Sequence, residues 1–110
     1  MGFYDKQIQY LDLWEYGERT GNVGFAKIDV RDEECKVWIS VKGICQPDIL
    51  VARLMLLDDE GERLADQMLL HQGMGTYAAV WETENLAQTD LEYSKWEGIR
   101  LVLSEHRYIE

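Results

Sequence analysis

Two histidines, His71 and His106, are the side chains of this chain best suited to proton transfer near neutral pH. A catalytic histidine works with a nucleophile or a metal held at a defined spacing, and neither histidine lies in a recognisable arrangement of that kind. His71 ends an apolar segment just before a glycine turn, where a histidine is more often solvated than catalytic. The pattern therefore predicts no catalytic residue, and we expect that the protein is not an enzyme.

The carboxylates of Asp58, Asp59, Glu60 and Glu62 have the hard oxygen atoms that calcium prefers. Their spacing lacks the alternating ligand pattern of the helix-loop-helix calcium loop, so we interpret them as the solvated tip of a hairpin. The run Gly73-Met74-Gly75 resembles a phosphate-binding loop only superficially, because no lysine is near and no helix start follows. These segments predict turns, with no metal and no cofactor.

The two cysteines differ in their sequence surroundings. Cys35 lies on the apolar side of an alternating segment, whereas Cys45 lies in a loop-like stretch. We expect both thiols to be reduced, with Cys35 buried and Cys45 partly exposed, which favours a cytoplasmic protein.

The start of the chain has no basic segment followed by an apolar one, and no apolar run approaches the ~20 residues of a membrane span, so neither secretion nor membrane insertion is predicted.

The charge balance narrows the class of partner. The chain has 110 residues with 21 acidic and 11 basic side chains, a formal net charge of -10. A surface of that sign repels phosphate backbones and anionic lipid headgroups, which argues against nucleic acid and membranes as partners.

Because 46% of the residues are hydrophobic, the chain can bury a core, and its length predicts one domain spanning residues 1–110.

Alternation of apolar and polar residues predicts the elements that would position any site. In the segment from Cys35 to Lys42, Cys35, Val37, Ile39 and Val41 share one face, as in a strand with one buried side. We therefore predict an all-β domain, an antiparallel meander of about seven strands that forms a small β-sandwich or a flattened barrel. One short helical turn is expected near residues 89–96.

The predicted strands are joined by turns rich in glycine and aspartate. The residues expected in the core are Ala26, Ile28, Val30, Val37, Ile39, Val41, Leu54, Leu56, Val80, Ile99, Leu101 and Leu103. The predicted strands are Gln7 to Tyr16, Val23 to Val30, Cys35 to Lys42, Ile49 to Leu57, Glu62 to His71, Thr76 to Thr83, and Ile99 to Leu103 with a possible extension to Tyr108.

Aromatic residues are the best candidates for a binding role. Tyr10, Trp14, Trp38 and Tyr77 exceed what one small core readily hides, and partly exposed tryptophan and tyrosine commonly anchor interfaces. We predict a noncatalytic domain for protein interaction or assembly, with a protein partner or a second copy bound. The alternatives are a β domain that binds a carbohydrate or another small ligand and, ranked last, a small metal-dependent enzyme.

The N-terminal part of the chain resembles a known group of domains. The segments that carry the likeness are Tyr10 to Glu18, the stretch Gly21-Asn22-Val23-Gly24-Phe25-Ala26-Lys27-Ile28, and Cys35 to Gly43. Together they resemble a family of uncharacterised domains, a domain of unknown function, in clostridia and related gut Firmicutes; the later Trp96-Glu97-Gly98-Ile99 fits only loosely. The resemblance implies a bacterial, intracellular protein and supplies no catalytic residues.

Overall fold

The protein folds into one antiparallel sheet. The computed structural model describes residues 2–46 and 48–110, which contain eight strands and one 3-10 helix. The sheet is rolled into a nearly closed barrel, and the all-β antiparallel class is confirmed. The strands are β1 (Tyr4–Glu15), β2 (Glu18–Arg31), β3 (Glu34–Val41), β4 (Ile49–Asp58), β5 (Gly61–His71), β6 (Gly75–Glu82), β7 (Gly98–Val102) and β8 (Arg107–Ile109), and the 3-10 helix is Tyr93–Lys95.

The strand order along the sheet is β5-β4-β7-β8-β1-β2-β3-β6. Strands β1 to β3 follow one another as a meander, whereas β6 pairs with β3 and β7 pairs with β4 out of sequence. The two outermost strands, β5 and β6, are joined by a tight turn in which His71 and Met74 exchange backbone hydrogen bonds. This turn brings the two ends of the sheet close together, so the sheet is nearly closed.

Strand alternation places the core where the sequence pattern predicts it. From Ala26 to Val30 in β2 and throughout β3, every second residue is buried, because successive side chains of a strand point to opposite faces. Eleven of the twelve predicted core residues are buried. Val80 is the exception: it is 60% exposed, because β6 turns Tyr77, Ala79 and Trp81 inward and Val80 outward.

Two predicted elements differ in extent. The predicted last strand divides into β7 and β8, because Ser104, Glu105 and His106 form a turn between them. The predicted helical turn shortens to Tyr93–Lys95. The residues before it do not continue as a helix, since Ala87, Gln88 and Asp90 have positive φ.

A long connection covers one end of the barrel. It runs from Thr83 to Glu97 and joins β6 to β7, and it buries Leu86 and Leu91 in the core. Within this connection the Tyr93 ring contacts the Trp96 ring, which in turn contacts Trp81 of β6, with ring centroids about 6 Å apart. The covered end is therefore filled by side chains.

Gln9 connects β1 to β7 at the point where β8 stops. Its side-chain carbonyl accepts a hydrogen bond from the backbone N–H of Ile99 at 3.0 Å, and its amide donates to the Ile99 carbonyl at 3.2 Å. Because β8 pairs with β1 only at Leu13, Trp14 and Glu15, these two bonds replace part of a missing strand pairing.

No helix in residues 2–46 and 48–110 has the length and apolar character to cross a membrane.

The cysteine environments agree with the sequence pattern. Cys35 is fully buried, Cys45 is exposed, and both are free thiols. Burial raises the pKa of the Cys35 thiol from 9.0 to about 11, because a thiolate is poorly solvated inside an apolar core.

We expect the free energy of unfolding to fall as the pH rises from 9 toward 11. In this window the unfolded chain loses the Cys35 proton while the folded protein retains it, so alkali favours the unfolded state. Urea unfolding across this range, under reducing conditions, measures the decline. Cys35→Ala should make the decline shallower, whereas the control Cys45→Ala should leave it unchanged. An identical pH dependence in all three proteins would refute this origin.

Candidate functional site

The outer surface of β1, β2, β3 and β6 carries exposed aromatic and aliphatic side chains on one sheet face, among them Ile8, Tyr10, Phe25, Trp38 and Val80. The strand register sets these side chains in rows that cross the sheet. One row is Ile8, Lys27, Trp38 and Ala78; on one side of it lie Tyr10, Phe25, Ser40 and Thr76, and on the other Lys6, Asp29, Lys36 and Val80. We call these three rows the lysine-aromatic face.

The apolar members of this face are exposed because their strand neighbours fill the core. Tyr10 is 72% exposed and Trp38 is 45% exposed, and Ile8, Phe25 and Val80 are also exposed. Strands lie about 4.8 Å apart, so residues that are adjacent in a row are close enough to contact a common ligand. Such a contiguous apolar area on a soluble domain commonly marks a binding surface.

A groove runs beside Trp38 on this face. Its volume is about 410 Å³, which is within the range of ligand pockets. The groove is open to solvent on its outer side. The outward side chains that line it are Lys27, Asp29, Lys36, Trp38, Ala78 and Val80.

The electrostatic character of the face differs from that of the whole chain. Lys6, Lys27 and Lys36 are exposed, and a fourth lysine, Lys42, follows the end of β3. None of the ion pairs formed within the described ranges includes a lysine. By contrast, the arginines at 19, 31, 63, 100 and 107 each pair with a carboxylate. Among the described residues, six cationic side chains form no ion pair: Lys6, Lys27, Lys36 and Lys42 lie on or next to this sheet face, and Arg53 and Lys95 lie elsewhere.

Asp29 is the one acidic member of the face. It is the cross-strand partner of both Lys6 and Lys36, but its closest cation is the Arg31 guanidinium at 3.7 Å. Arg31 also lies over the Tyr4 ring, 5.1 Å from its centroid. Asp29 therefore reduces the positive charge of the face without holding either lysine in an ion pair.

The structure brings together two of the four aromatic residues that the sequence singled out. Tyr10 and Trp38 lie on the lysine-aromatic face, in neighbouring rows. Trp14 lies elsewhere on β1, where its ring stacks on Tyr108 with the planes 4° apart and the centroids 6.0 Å apart. Tyr77 points inward from β6.

The hydroxyl groups of Tyr77 and Tyr93 donate hydrogen bonds to carboxylates of this protein. The Tyr77 hydroxyl donates to Asp66 at 2.6 Å, and burial, aided by this carboxylate, raises the pKa of Tyr77. The Tyr93 hydroxyl donates to Asp5 at 2.6 Å, and burial together with that bond raises the pKa of Tyr93 to about 12. Both bonds tie strands to neighbouring segments, so neither hydroxyl is free for a ligand.

Sequence reasoning missed the residues that complete the face. Ile8, Phe25 and Val80 were not predicted as binding residues, although Ile8 shares the side of β1 that Tyr10 occupies. Phe25 alternates with the buried Ala26 in the same way. The alternation was a usable signal within each strand, but it could not show that β1 and β6 flank the same two strands.

The histidines and the carboxylate cluster that the sequence offered for proton transfer or metal binding do not form a metal site among the described residues. His71 is exposed at the end of β5, and His106 stacks on Tyr16 with ring centroids 4.9 Å apart. Asp58 pairs with Arg63 at 2.8 Å and accepts a bond from the Glu60 N–H; the Arg63 hydrogen bond is the main reason that the pKa of Asp58 is lowered. Among the residues that the structure describes, no three His, Cys, Asp or Glu side chains are grouped so as to hold a metal ion.

Comparisons with known proteins found no matching family model and no significant similarity to a curated protein or to a solved structure. The resemblance to clostridial domains stays a prediction.

Proposed function

We propose that this protein is a noncatalytic interaction domain that binds a protein partner through the lysine-aromatic face. The observation that supports this most directly is the continuous exposure of Trp38, Tyr10, Ile8, Phe25 and Val80 on one side of four paired strands. Tryptophan and tyrosine are the residues whose truncation most often costs ~2 kcal/mol or more at protein interfaces. The face offers aromatic rings and lysines but no histidine or cysteine.

The rigidity of the platform favours the same function. Behind the face, alternate residues of β2 and β3 are fully packed, among them Ala26, Val30 and Ile39 at 0% exposure. A partner would therefore meet side chains whose backbone is already ordered, which lowers the entropy lost on binding.

A carbohydrate site is the second candidate, supported by the groove beside Trp38. An aromatic ring with polar side chains around it can stack on a sugar while Lys27, Asp29 and Lys36 bind hydroxyl groups. We rank this function second because Ala78 and Val80 present only methyl groups along the β6 side of the groove, where a sugar would need hydrogen-bonding partners.

Photo-crosslinking at two exposed tyrosines tests the proposal. A benzophenone amino acid replaces Tyr10 on the face or, as the control, Tyr16, which is 77% exposed at the β1–β2 turn. We expect a defined protein adduct in the host cells from position 10 and not from position 16. The partner, once identified by mass spectrometry and purified, should bind Trp38→Ser at least about 30-fold more weakly than the wild type.

A matched surface variant and a sugar titration complete this test. Leu69→Ser changes an exposed side chain of β5, outside the face, and should leave the affinity for the partner unchanged. Equal adducts from both tyrosines, or full affinity in Trp38→Ser, would contradict the proposal. Tryptophan fluorescence that responds to a sugar panel in the wild type but not in Trp38→Phe would instead establish the carbohydrate site.

A further inference from the structure

The chemistry of the lysine-aromatic face specifies the kind of polypeptide that fits it. Lys27 stands between Ile8 and Trp38 in one row, and Lys36 stands between Asp29 and Val80 in the next. Each of these two lysines thus has an exposed apolar side chain as a cross-strand neighbour. A complementary surface would place carboxylates over the lysines and apolar side chains over Trp38, Ile8 and Val80.

The charge of the face disfavours a second copy of this chain as its occupant. A dimer through the face would oppose two surfaces that each carry Lys6, Lys27 and Lys36 and are each net positive. Asp29 is the one carboxylate in the three rows that could offset them, and it already lies near Arg31. Like charges brought together across an interface weaken association.

The charge of the rest of the molecule disfavours large polyanions. The chain as a whole has a formal net charge of -10, so the surface outside this net-positive face is strongly acidic. A nucleic acid duplex or an anionic bilayer extends well beyond a patch four strands wide and would meet those carboxylates. A short polypeptide segment can bind within the patch, because repulsion beyond a Debye length of about 8 Å is screened at physiological salt.

We infer that the partner binds through a short acidic segment in which aspartate or glutamate alternates with aromatic or aliphatic residues. The inference rests on the proposed function and adds to it the chemistry of the partner. Lys6, Lys27 and Lys36 bind the carboxylates of this segment, and Trp38 and Val80 contact its apolar side chains. Since none of the three lysines is engaged in an ion pair within the described residues, no internal ion pair must break when the segment binds.

A phage-displayed library of random linear peptides, selected on the immobilised full chain, provides a test that does not require the partner to be identified. We expect the selected peptides to be enriched in aspartate and glutamate interspersed with aromatic and aliphatic residues. The best peptide, labelled with fluorescein, should bind the wild-type protein in anisotropy titrations. Its Kd should rise at least about tenfold between 50 mM and 500 mM NaCl, because salt screens the lysines.

Two charge-reversal variants separate a local from a global effect. Lys27→Glu/Lys36→Glu should weaken peptide binding at least about 30-fold. The control, Arg53→Glu/Lys95→Glu, alters the net charge equally at two exposed cations outside the face and should change the Kd less than about threefold, since those sites lie away from the bound peptide. Circular dichroism melting curves verify that both variants fold.

The outcomes distinguish the inference from the function on which it rests. Selected peptides that are apolar but uncharged, and that lose binding in Trp38→Ser, would overturn the acidic segment and leave the proposed interaction face standing. Peptides whose binding responds neither to Trp38→Ser nor to the lysine reversals would overturn both. Tight binding to phosphatidylserine vesicles or to duplex DNA through Lys27 and Lys36, with no peptide selected, would overturn the inference in favour of a polyanion.

Discussion

Replacing Gly73 by alanine is expected to destabilise the protein by at least about 3 kcal/mol, a large part of the stability of a domain this size. Gly73 lies in the turn between β5 and β6 and has a φ of 78°. A Cβ atom there would overlap the backbone carbonyl of Ile44, and backbone cannot move aside as a flexible side chain can. The backbones of Gly73 and Ile44 are also joined by a hydrogen bond in which the Ile44 N–H donates to the Gly73 carbonyl at 3.3 Å.

Gly17 provides a matched control for this substitution. Its φ is 80°, nearly the same as that of Gly73, but a Cβ atom at Gly17 would meet nothing within 4 Å. Gly17→Ala should therefore cost only about 1 kcal/mol, the penalty for a side chain in the left-handed region. Urea unfolding of both variants isolates the steric part of the effect. Equal losses of stability would show that Gly73 is required only for its backbone conformation.

Truncating Leu54 to alanine is expected to cost between about 2 and 5 kcal/mol. Leu54 is fully buried in β4, and its strand neighbours are Asp66 on β5 and Leu101 on β7. Removing most of its side chain leaves a cavity in a barrel interior that is held by strands on both sides. The surrounding backbone cannot close such a cavity completely, so the lost contacts are not recovered.

Leu69 tests whether burial is the cause. It lies in the same hairpin as Leu54 but is 61% exposed, so Leu69→Ala should change the free energy of unfolding by no more than about 0.5 kcal/mol. Chemical denaturation with a common m-value gives the comparison directly. If Leu54→Ala lost no more stability than Leu69→Ala, the barrel interior would not be the main source of stability.

Some residues of the candidate site were predictable from the sequence and others were not. Trp38 was predictable as an exposed aromatic, because it occupies the polar side of a segment whose other side is apolar. Tyr10 was chosen only on aromatic content, because both sides of its segment carry apolar residues. Trp14 and Tyr77 were chosen on the same composition argument. However, one stacks on Tyr108 and the other points into the barrel, since aromatic content alone does not specify which neighbours a ring meets.

The sequence by itself determined the positions of β1 to β7 and most of the core, but not the separation of β7 from β8. Alternation is a local property with a period of two, so Cys35, Val37 and Ile39 could be assigned to one buried face independently of any other strand. The same locality explains the error at Val80. Both sides of β6 carry apolar residues, and a pattern within one strand cannot show which side faces the core.

Only the tertiary structure decided which outward side chains share a surface. Lys6, Lys36 and Val80 are far apart in the chain and lie in one row, because β6 pairs with β3 across a crossover and β1 reaches β3 through β2. The contacts of Gly73 with Ile44 and of Gln9 with Ile99 are equally non-local. These pairings depend on the packing of the whole chain, so alternation within single strands could not predict them.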